Sequence, residues 1–431
     1  DGAVLRSLTW MALTLNVHLL SGRSFRLTTP SASTVKDLRT QLQQEHGILV
    51  SYFVYNGHAL KTFDILEAIG LEDEQQLLAV MRSARLVASR NCGMFALIRS
   101  DCTARLWSER DSNPSAEIQN QLVDVQDIAI SKAAMAVVFL DGTVLTWGDP
   151  GSGGCSAQVQ KDLYDIQEVV GTVHAFAARR KDGRVFCWGL STYGGDSSKV
   201  HLQLTDVQQV FATKYSFCAL KTDGTVLTWG EPQCGGDSRA VRGQLHDIRS
   251  ISSTARAFAG LRHDGSVVTW GHPVAGGDSS SCVGLHGIQQ ICGARNAFTA
   301  LRDNGTAITW GQCLGGDAVA RLTQIPIREI AASDGAFAGI RTNGTVISWG
   351  DERYGGDSRA VESHLRDVTH LCASNFAFSA LLADGSVVSW GHDESGGDAT
   401  SVQGQLVEVR QVVGAVDSFA ALKQDDTVIT W

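Results

Sequence analysis

The chain has 431 residues, of which 43% are hydrophobic, and a formal net charge of −9. This length and apolar content suffice for a sizeable core and for more than one domain. Glycine occurs 45 times and proline only 6 times, which indicates an ordered, turn-rich protein. The acidic balance and the absence of a Lys/Arg run argue against nucleic acid and against an anionic membrane surface as partners. No apolar stretch reaches the length of about 18 residues that a membrane span needs.

The ten cysteines form no CxxC pair and follow no regular small-loop spacing. We therefore predict no disulfide framework and expect a reducing compartment, which is the cytoplasm, the nucleus or an organelle interior. Residues 1–10 precede the first patterned segment and are interpreted as an N-terminal extension.

The first patterned segment, residues 11–82, contains a hairpin, a helix, a strand, a tight turn and a last strand. Alternating apolar residues predict the strands, and Thr34 is a candidate N-cap of the helix. The turn is predicted by Asn56-Gly57. The predicted strands and helix are 13–19, 24–27, Thr34–Gln44, 52–55 and 77–81.

This order and spacing resemble ubiquitin, which implies an α+β domain of the β-grasp type. The resemblance implies an exposed apolar docking patch at Leu20, Val54, Leu78 and Val80, since such patches mark protein interfaces. The alternative is that these four are ordinary strand residues. Arg82 is not followed by a diglycine, so we expect a fixed module rather than a transferable tag.

Beyond this segment, tryptophans recur at intervals of 39 to 41 residues. A period of this size indicates a repeat protein, because one such unit is too small to bury its own apolar face. Each predicted hairpin closes on a dipeptide such as Asp264-Gly265, which favours a two-residue loop. We expect the rings to pack between adjacent units. The tryptophans predicted to be structural are Trp147, Trp188, Trp229, Trp270, Trp310, Trp349 and Trp390.

A Gly-Gly-Asp segment closes six of the units. One hypothesis is a ring of carboxylates that binds Ca²⁺, because this ion prefers several oxygen ligands. We favour a structural role, in which each aspartate caps a short helical turn. A calcium-binding loop places several acidic groups together, whereas each of these loops has one. We therefore predict no metal site. The aspartates are Asp196, Asp237, Asp278, Asp317, Asp357 and Asp398.

The recurring Leu-x-x-Asp-Gly-x-Val-x-x-Trp-Gly core resembles the repeat of the regulator of chromosome condensation family. The resemblance implies a mainly β fold in which residues 84–431 form propeller blades, as eight units and a ninth that stops at Trp431. A closed ring of eight or nine blades and an open spiral both remain open.

No motif for catalysis is present: the sequence has no Walker-type loop, no HExxH and no GxSxG with triad partners. We therefore predict no catalytic residue and no cofactor. The favoured function is a protein–protein interaction scaffold or an accessory subunit of a larger assembly, with other proteins as partners. Two alternatives come from resemblance: the N-terminal part of a HECT-type ubiquitin ligase, and nucleotide exchange on a small GTPase.

Overall fold

The structure is a computed structural model that describes residues 12–108, 114–280, 282, 285–312 and 326–431. Within these residues the chain is mainly β, with one five-stranded sheet and nine three-stranded sheets. Asp317 lies outside the described residues. Across the described ranges, no helix has both the length and the apolar character needed to cross a membrane.

The five-stranded sheet has the strand order β2-β1-β5-β3-β4, with one helix. Strands β1 and β5 run parallel, and the other neighbours are antiparallel. The predicted hairpin, helix and following strands are confirmed in this order. The elements are β1 Ala12–Leu19, β2 Ser24–Pro30, α1 Val35–His46, β3 Tyr52–Tyr55, β4 His58–Ala59 and β5 Gln76–Val80.

Both ends of helix α1 are fixed by its sequence. Thr34 is the N-cap: its hydroxyl accepts from the Asp37 N–H, and the Asp37 carboxylate accepts from the Thr34 N–H at 2.8 Å. The hydrogen bonds that the Asp37 carboxylate accepts from the Thr34 N–H and from the Thr34 hydroxyl hold the pKa of Asp37 below its usual value. Gly47 ends the helix with φ +68°, a left-handed conformation that glycine adopts without strain. The helix buries Leu38 and Leu42 in the core it shares with the sheet.

The nine three-stranded sheets are consecutive in the chain, and in each the second strand lies in the middle. We number them sheets 1 to 9. The strands of sheet 1 are Arg85–Ala88, Met94–Ile98 and Ala104–Ser108; of sheet 2, Val125–Ile130, Ala134–Phe139 and Val144–Gly148; and of sheet 3, Ile166–Gly171, Ala175–Arg180 and Val185–Gly189. Those of sheet 4 are Val207–Ala212, Ser216–Lys221 and Val226–Gly230; of sheet 5, Ile248–Ser253, Ala257–Arg262 and Val267–Gly271; and of sheet 6, Ile288–Gly293, Ala297–Arg302 and Ala307–Gly311. Those of sheet 7 are Ile327–Ala332, Ala336–Arg341 and Val346–Gly350; of sheet 8, Val368–Ala373, Ala377–Leu382 and Val387–Gly391; and of sheet 9, Val409–Gly414, Phe419–Lys423 and Val428–Thr430.

Short helices lie in the connections between sheets. One is α-helical, Ala116–Asn120, and the described others are single 3₁₀ turns or slightly longer. These are Pro150–Ser152, Gln160–Asp162, Ser191–Tyr193, His201–Gln203, Pro232–Cys234, Arg239–Gln244, Pro273–Ala275, Glu352–Tyr354, Arg359–His364, Asp393–Ser395 and Gln403–Gln405.

The loops between second and third strands differ from the sequence prediction. In sheet 2 the Phe139 N–H donates to the Thr143 carbonyl at 3.0 Å, so the loop has three residues, not two. Gly142 alone in this loop has positive φ, +77°. Asp141 instead accepts from the Thr143 N–H at 2.9 Å. The expected two-residue loop was wrong, because a three-residue loop with glycine last closes the same hairpin.

Neighbouring sheets pack through their first strands, which contact one another from sheet 2 to sheet 9. The first strand of sheet 9 also contacts that of sheet 1. There the Gln411 side chain bonds both backbone groups of Leu86, at 2.9 and 3.2 Å. Arg410 donates to the Ala84 carbonyl at 2.8 Å. Phe95 of sheet 1 and Leu422 of sheet 9 share one buried cluster.

Candidate docking surface

The repeat tryptophans link consecutive sheets. Trp188, for example, stacks on Phe176 of its own sheet at 5.5 Å between ring centroids. Its indole N–H donates to the Gly153 carbonyl of the preceding repeat at 2.9 Å. Six of the seven predicted tryptophans are buried, and Trp147 is half-buried. The same indole bond to a preceding glycine is made by Trp229, Trp270, Trp310 and Trp390.

The glycines before each aspartate are required by close packing. At Gly194, φ is +90°, and an added Cβ would lie 2.5 Å from a ring carbon of Phe217 in the next sheet. At Gly195 an added Cβ would lie 2.3 Å from the Gly189 carbonyl oxygen. The two glycines therefore allow the chain to pack closely against the next repeat.

The five described aspartates of this segment each bond within their own loop. The Asp237 carboxylate accepts a hydrogen bond from the Arg239 N–H at 3.0 Å. The N-cap residue of the 3₁₀ helix that follows is Ser238 and not, as predicted, the aspartate. Hydrogen bonds from the side chain and backbone of Arg239 hold the pKa of Asp237 below its usual value. The equivalent bonds belong to Asp196, Asp278, Asp357 and Asp398.

Three of the four predicted patch residues share one face of the five-stranded sheet. Val54 pairs directly with Leu78, and Val80 lies two residues further along the same strand. All three are half-buried, whereas Phe53, which precedes Val54 on β3, is fully buried in the core shared with α1. Leu20 follows the end of β1 and is 78% exposed. The register thus places an apolar strip on the face opposite α1, with Leu20 beyond the end of β1.

Two further residues on this face were missed at the sequence level. His18 pairs with Leu78, and Tyr52 pairs with Val80, so both point to the same side. His18 Nδ1 lies 2.7 Å from Ser24 Oγ, while Nε2 is buried without a partner in the described residues. The period-two pattern of the strands already carried this information. Arg82 stacks on the Tyr52 ring at 5.1 Å.

The five-stranded unit is joined to sheets 1 and 2 away from this face. The Thr62 N–H donates to the Asp124 carboxylate at 2.8 Å, and Lys61 pairs with Asp141 at 2.9 Å. Arg39 of α1 donates to the Asp101 carbonyl at 3.2 Å. Because these contacts use α1 and the loop after β4, the apolar face opposite α1 takes no part in them.

The ion pair at this junction changes both pKa values. The hydrogen bond and charge of Asp141 raise the pKa of Lys61. Burial acts to raise the pKa of Asp141, but hydrogen bonds from Thr143 and Lys61 outweigh it, so this pKa lies below its usual value. Both groups are therefore charged at neutral pH.

Nothing in the described part of the chain assembles into a metal centre, since no group of three or more His, Cys, Asp or Glu side chains converges there. The five described aspartates of the Gly-Gly-Asp segments bond within their own loops. The arrangement that remains as a candidate site is the apolar face of Val54, Leu78 and Val80.

Comparisons with known proteins returned solved structures only. Neither a protein-family model nor a curated protein sequence matches the chain. Chains of the regulator-of-chromosome-condensation-like propeller class are among the similar structures. Prp20p from Saccharomyces cerevisiae, described with its binding to Gsp1p and histones, is 14% identical over 80% of this chain and 93% of its own, with a TM-score of 0.42.

Human WBSCR16 is 14% identical over 80% of this chain and 88% of its own, with a TM-score of 0.38. A chain from a structure on molecular mimicry of SUMO in DNA repair is 29% identical over 16% of this chain and 90% of its own, with a TM-score of 0.15. A TM-score below 0.5 does not establish a shared fold, and the fold described above rests on the strands and hydrogen bonds of this chain.

Proposed function

We propose that the chain is a non-enzymatic scaffold for protein–protein interactions, acting by itself or as an accessory subunit of a larger assembly. The observation that carries the proposal is the apolar face of Val54, Leu78 and Val80. It lies on a unit that is joined to the repeats by other residues, so this face stays clear of the junction. An apolar face on a fixed unit is suited to binding another protein.

The first unit is proposed to be a ubiquitin-like β-grasp domain spanning residues 11–82. Its strand order β2-β1-β5-β3-β4, with β1 parallel to β5, supports this assignment. So does α1, which follows the first hairpin and packs on one face. In this proposal Leu20, Val54, Leu78 and Val80 form the docking patch, and His18 and Tyr52 extend it.

The repeats, residues 84–431, are proposed to form a closed ring of nine blades. The contacts between sheets 9 and 1 support closure, because they include a buried cluster and the bonds from Gln411 and Arg410. Seven of the eight other inter-sheet contacts also join first strands, and sheets 1 and 2 meet through the second strand of sheet 1 and the first strand of sheet 2. A closed ring presents many loops on a rigid frame, which suits partner binding.

The partners in this proposal are other proteins, with neither nucleic acid nor a cofactor involved. The net charge of −9 supports this choice of partner. No observation in the described residues favours the two alternatives, the N-terminal part of a HECT-type ligase or a nucleotide exchange factor.

The experiment is affinity capture with the full chain, read by quantitative mass spectrometry. Val54→Asp places a charge in the centre of the patch, and Leu20→Asp places one at its exposed edge. The matched control is Val274→Asp, because Val274 is 46% exposed and lies in the repeats. We expect both patch variants to lose at least ten-fold in recovery of the captured proteins, and the control to recover them as the wild type does.

An unchanged set of captured proteins from Leu20→Asp and Val54→Asp would reject the patch. Thermal unfolding of each variant separates loss of binding from loss of fold. Leu20→Asp decides the outcome if Val54→Asp unfolds, since a side chain that is 78% exposed contributes little to the core.

A further inference from the structure

The turns between first and second strands are linked by a row of backbone hydrogen bonds. From sheet 2 to sheet 8, the N–H of one turn residue donates to the carbonyl of its equivalent in the next sheet, at 2.8 to 3.1 Å. The row brings one residue from each of the eight sheets 2 to 9 towards a common centre. In order these are Lys132, Val173, Lys214, Ala255, Arg295, Asp334, Asn375 and Val416.

Arg90, in the equivalent turn of sheet 1, reaches across this centre. Its Nη1 donates to the Ala332 carbonyl at 2.9 Å, its Nε donates to Asn375 Oδ1 at 3.1 Å, and its Nη2 pairs with Asp334 at 3.3 Å. Arg295 also pairs with Asp334, at 3.5 Å. The only carboxylate among these turn residues is therefore already shared by two guanidinium groups.

Lys214 has no such partner. In the described ranges its Nζ makes no hydrogen bond and no ion pair, and the residue is half-buried. Burial lowers the pKa of Lys214; Asp334 opposes this effect, and the charges of Arg295 and Arg90 add to it. A desolvated ammonium group beside two guanidinium groups is stabilised when an anion approaches.

A cavity of about 170 Å³ opens at this point, lined by Arg90, Lys214, Arg295, Asp334 and Asn375. Three cations and one carboxylate give the cavity a formal charge of +2, in a chain whose net charge is −9. At about 30 Å³ per water molecule, the cavity has room for a phosphate group with a few waters.

We propose that this cavity binds a phosphate group, carried by inorganic phosphate or by a phosphate monoester. The guanidinium of Arg295 and the ammonium of Lys214 supply charged donors, and such bonds to phosphate are the strong ones. Arg90 is held in place by three acceptors and contributes its charge rather than a free donor.

The five-stranded unit leaves this cavity open. Its contacts with the repeats are at Asp101, Asp124 and Asp141, which lie at the starts of first strands or in the turns between second and third strands. Those positions are at the opposite end of the strands from the cavity. A phosphate group has access without movement of that unit.

The test is isothermal titration of the full chain with inorganic phosphate at low ionic strength. We expect saturable binding of one phosphate per chain, and weakening of at least ten-fold in Lys214→Met and in Arg295→Gln. Lys214→Arg retains binding, because it keeps the charge. Lys199→Met is the matched control, since Lys199 is exposed and is not among the residues that line the cavity, and this variant should bind phosphate as the wild type does.

Asp334→Asn separates recognition of an anion from a structural role. Removal of the carboxylate charge should tighten phosphate binding, whereas loss of a purely structural bridge would weaken it.

Parallel titrations with phosphoserine and sulfate distinguish a monoester from free phosphate and from any divalent anion. The absence of saturable binding of phosphate and of phosphoserine, or wild-type affinity in both Lys214→Met and Arg295→Gln, would overturn the proposal. If Lys214→Met does not fold, Arg295→Gln and Asp334→Asn decide.

Discussion

At the scale of the residue, the glycines of the Gly-Gly-Asp segments set the spacing between repeats, because they have no Cβ atom. In the five described Gly-Gly-Asp segments, the first glycine has positive φ and lies against the phenylalanine of the next sheet, and its carbonyl accepts a hydrogen bond from the next tryptophan. The sequence revealed the repeated glycines, but it did not reveal what they touch, because the partner ring is about 20 residues away in the next unit. The predicted N-cap role of the aspartate was wrong in detail, because Asp237 accepts from the N–H two residues on and Ser238 is the N-cap residue.

Gly194→Ala tests this packing. We expect it to lower the free energy of unfolding by about 2–5 kcal/mol, because a non-glycine residue is strained at φ +90° and its Cβ overlaps Phe217. The measurement is urea unfolding followed by tryptophan fluorescence. Gly243→Ala is the matched control, since no atom lies within 4 Å of its added Cβ and its φ is not positive. Equal stability of the two variants would contradict the account.

At the scale of the element, the hairpins are set by their loops. The strands were predictable from β-branched and aromatic residues that end at a turn, and the described strands confirm them. The loop length was not predictable, since Asp-Gly is compatible with a two-residue loop and with the last two positions of a three-residue loop. The positive φ of Asp247, just before a first strand, was also missed.

Acid should weaken these loops in a defined direction. In Asp223, Asp264, Asp384 and Asp425, a hydroxyl two residues on donates to the carboxylate and holds its pKa below the usual value. A lowered folded-state pKa gives stability that is complete above the unfolded pKa of about 4, and that is lost as the pH falls through the folded pKa. The urea concentration at the midpoint of unfolding should therefore decrease as the pH is lowered from 5 to 3.

The chain contains its own control for this prediction. Asn304 and Asn343 take the place of the aspartate in two loops and make the same bonds, for example from the Thr306 N–H at 3.0 Å. Replacement of the four aspartates by asparagine should leave the bonds in place and reduce the fall between pH 5 and pH 3. An undiminished fall would show that other groups cause it.

At the scale of the whole molecule, the number of sheets was visible in the sequence, whereas the contacts between sheets 9 and 1 were not. The nine regularly spaced tryptophans predicted eight units and a ninth that stops at Trp431, because the period repeats along the chain. Contacts between sheets 9 and 1 join Leu86 to Gln411 across 325 residues. The period of the sequence does not reveal such a contact. It also does not reveal that the Arg90 side chain reaches sheets 7 and 8.

The most direct test of the central claim, a closed ring of interlocked sheets, is a distance measurement between spin labels. Cysteines replace Asp101 and Asp425, which occupy equivalent turns of sheets 1 and 9, in a chain with Cys155→Ser and Cys313→Ser. The reference pair is Asp384 and Asp425, in the neighbouring sheets 8 and 9. A closed ring predicts the same distance for both pairs. A distance between residues 101 and 425 that exceeds the reference by more than about 10 Å, the usual spacing of packed sheets, would contradict closure.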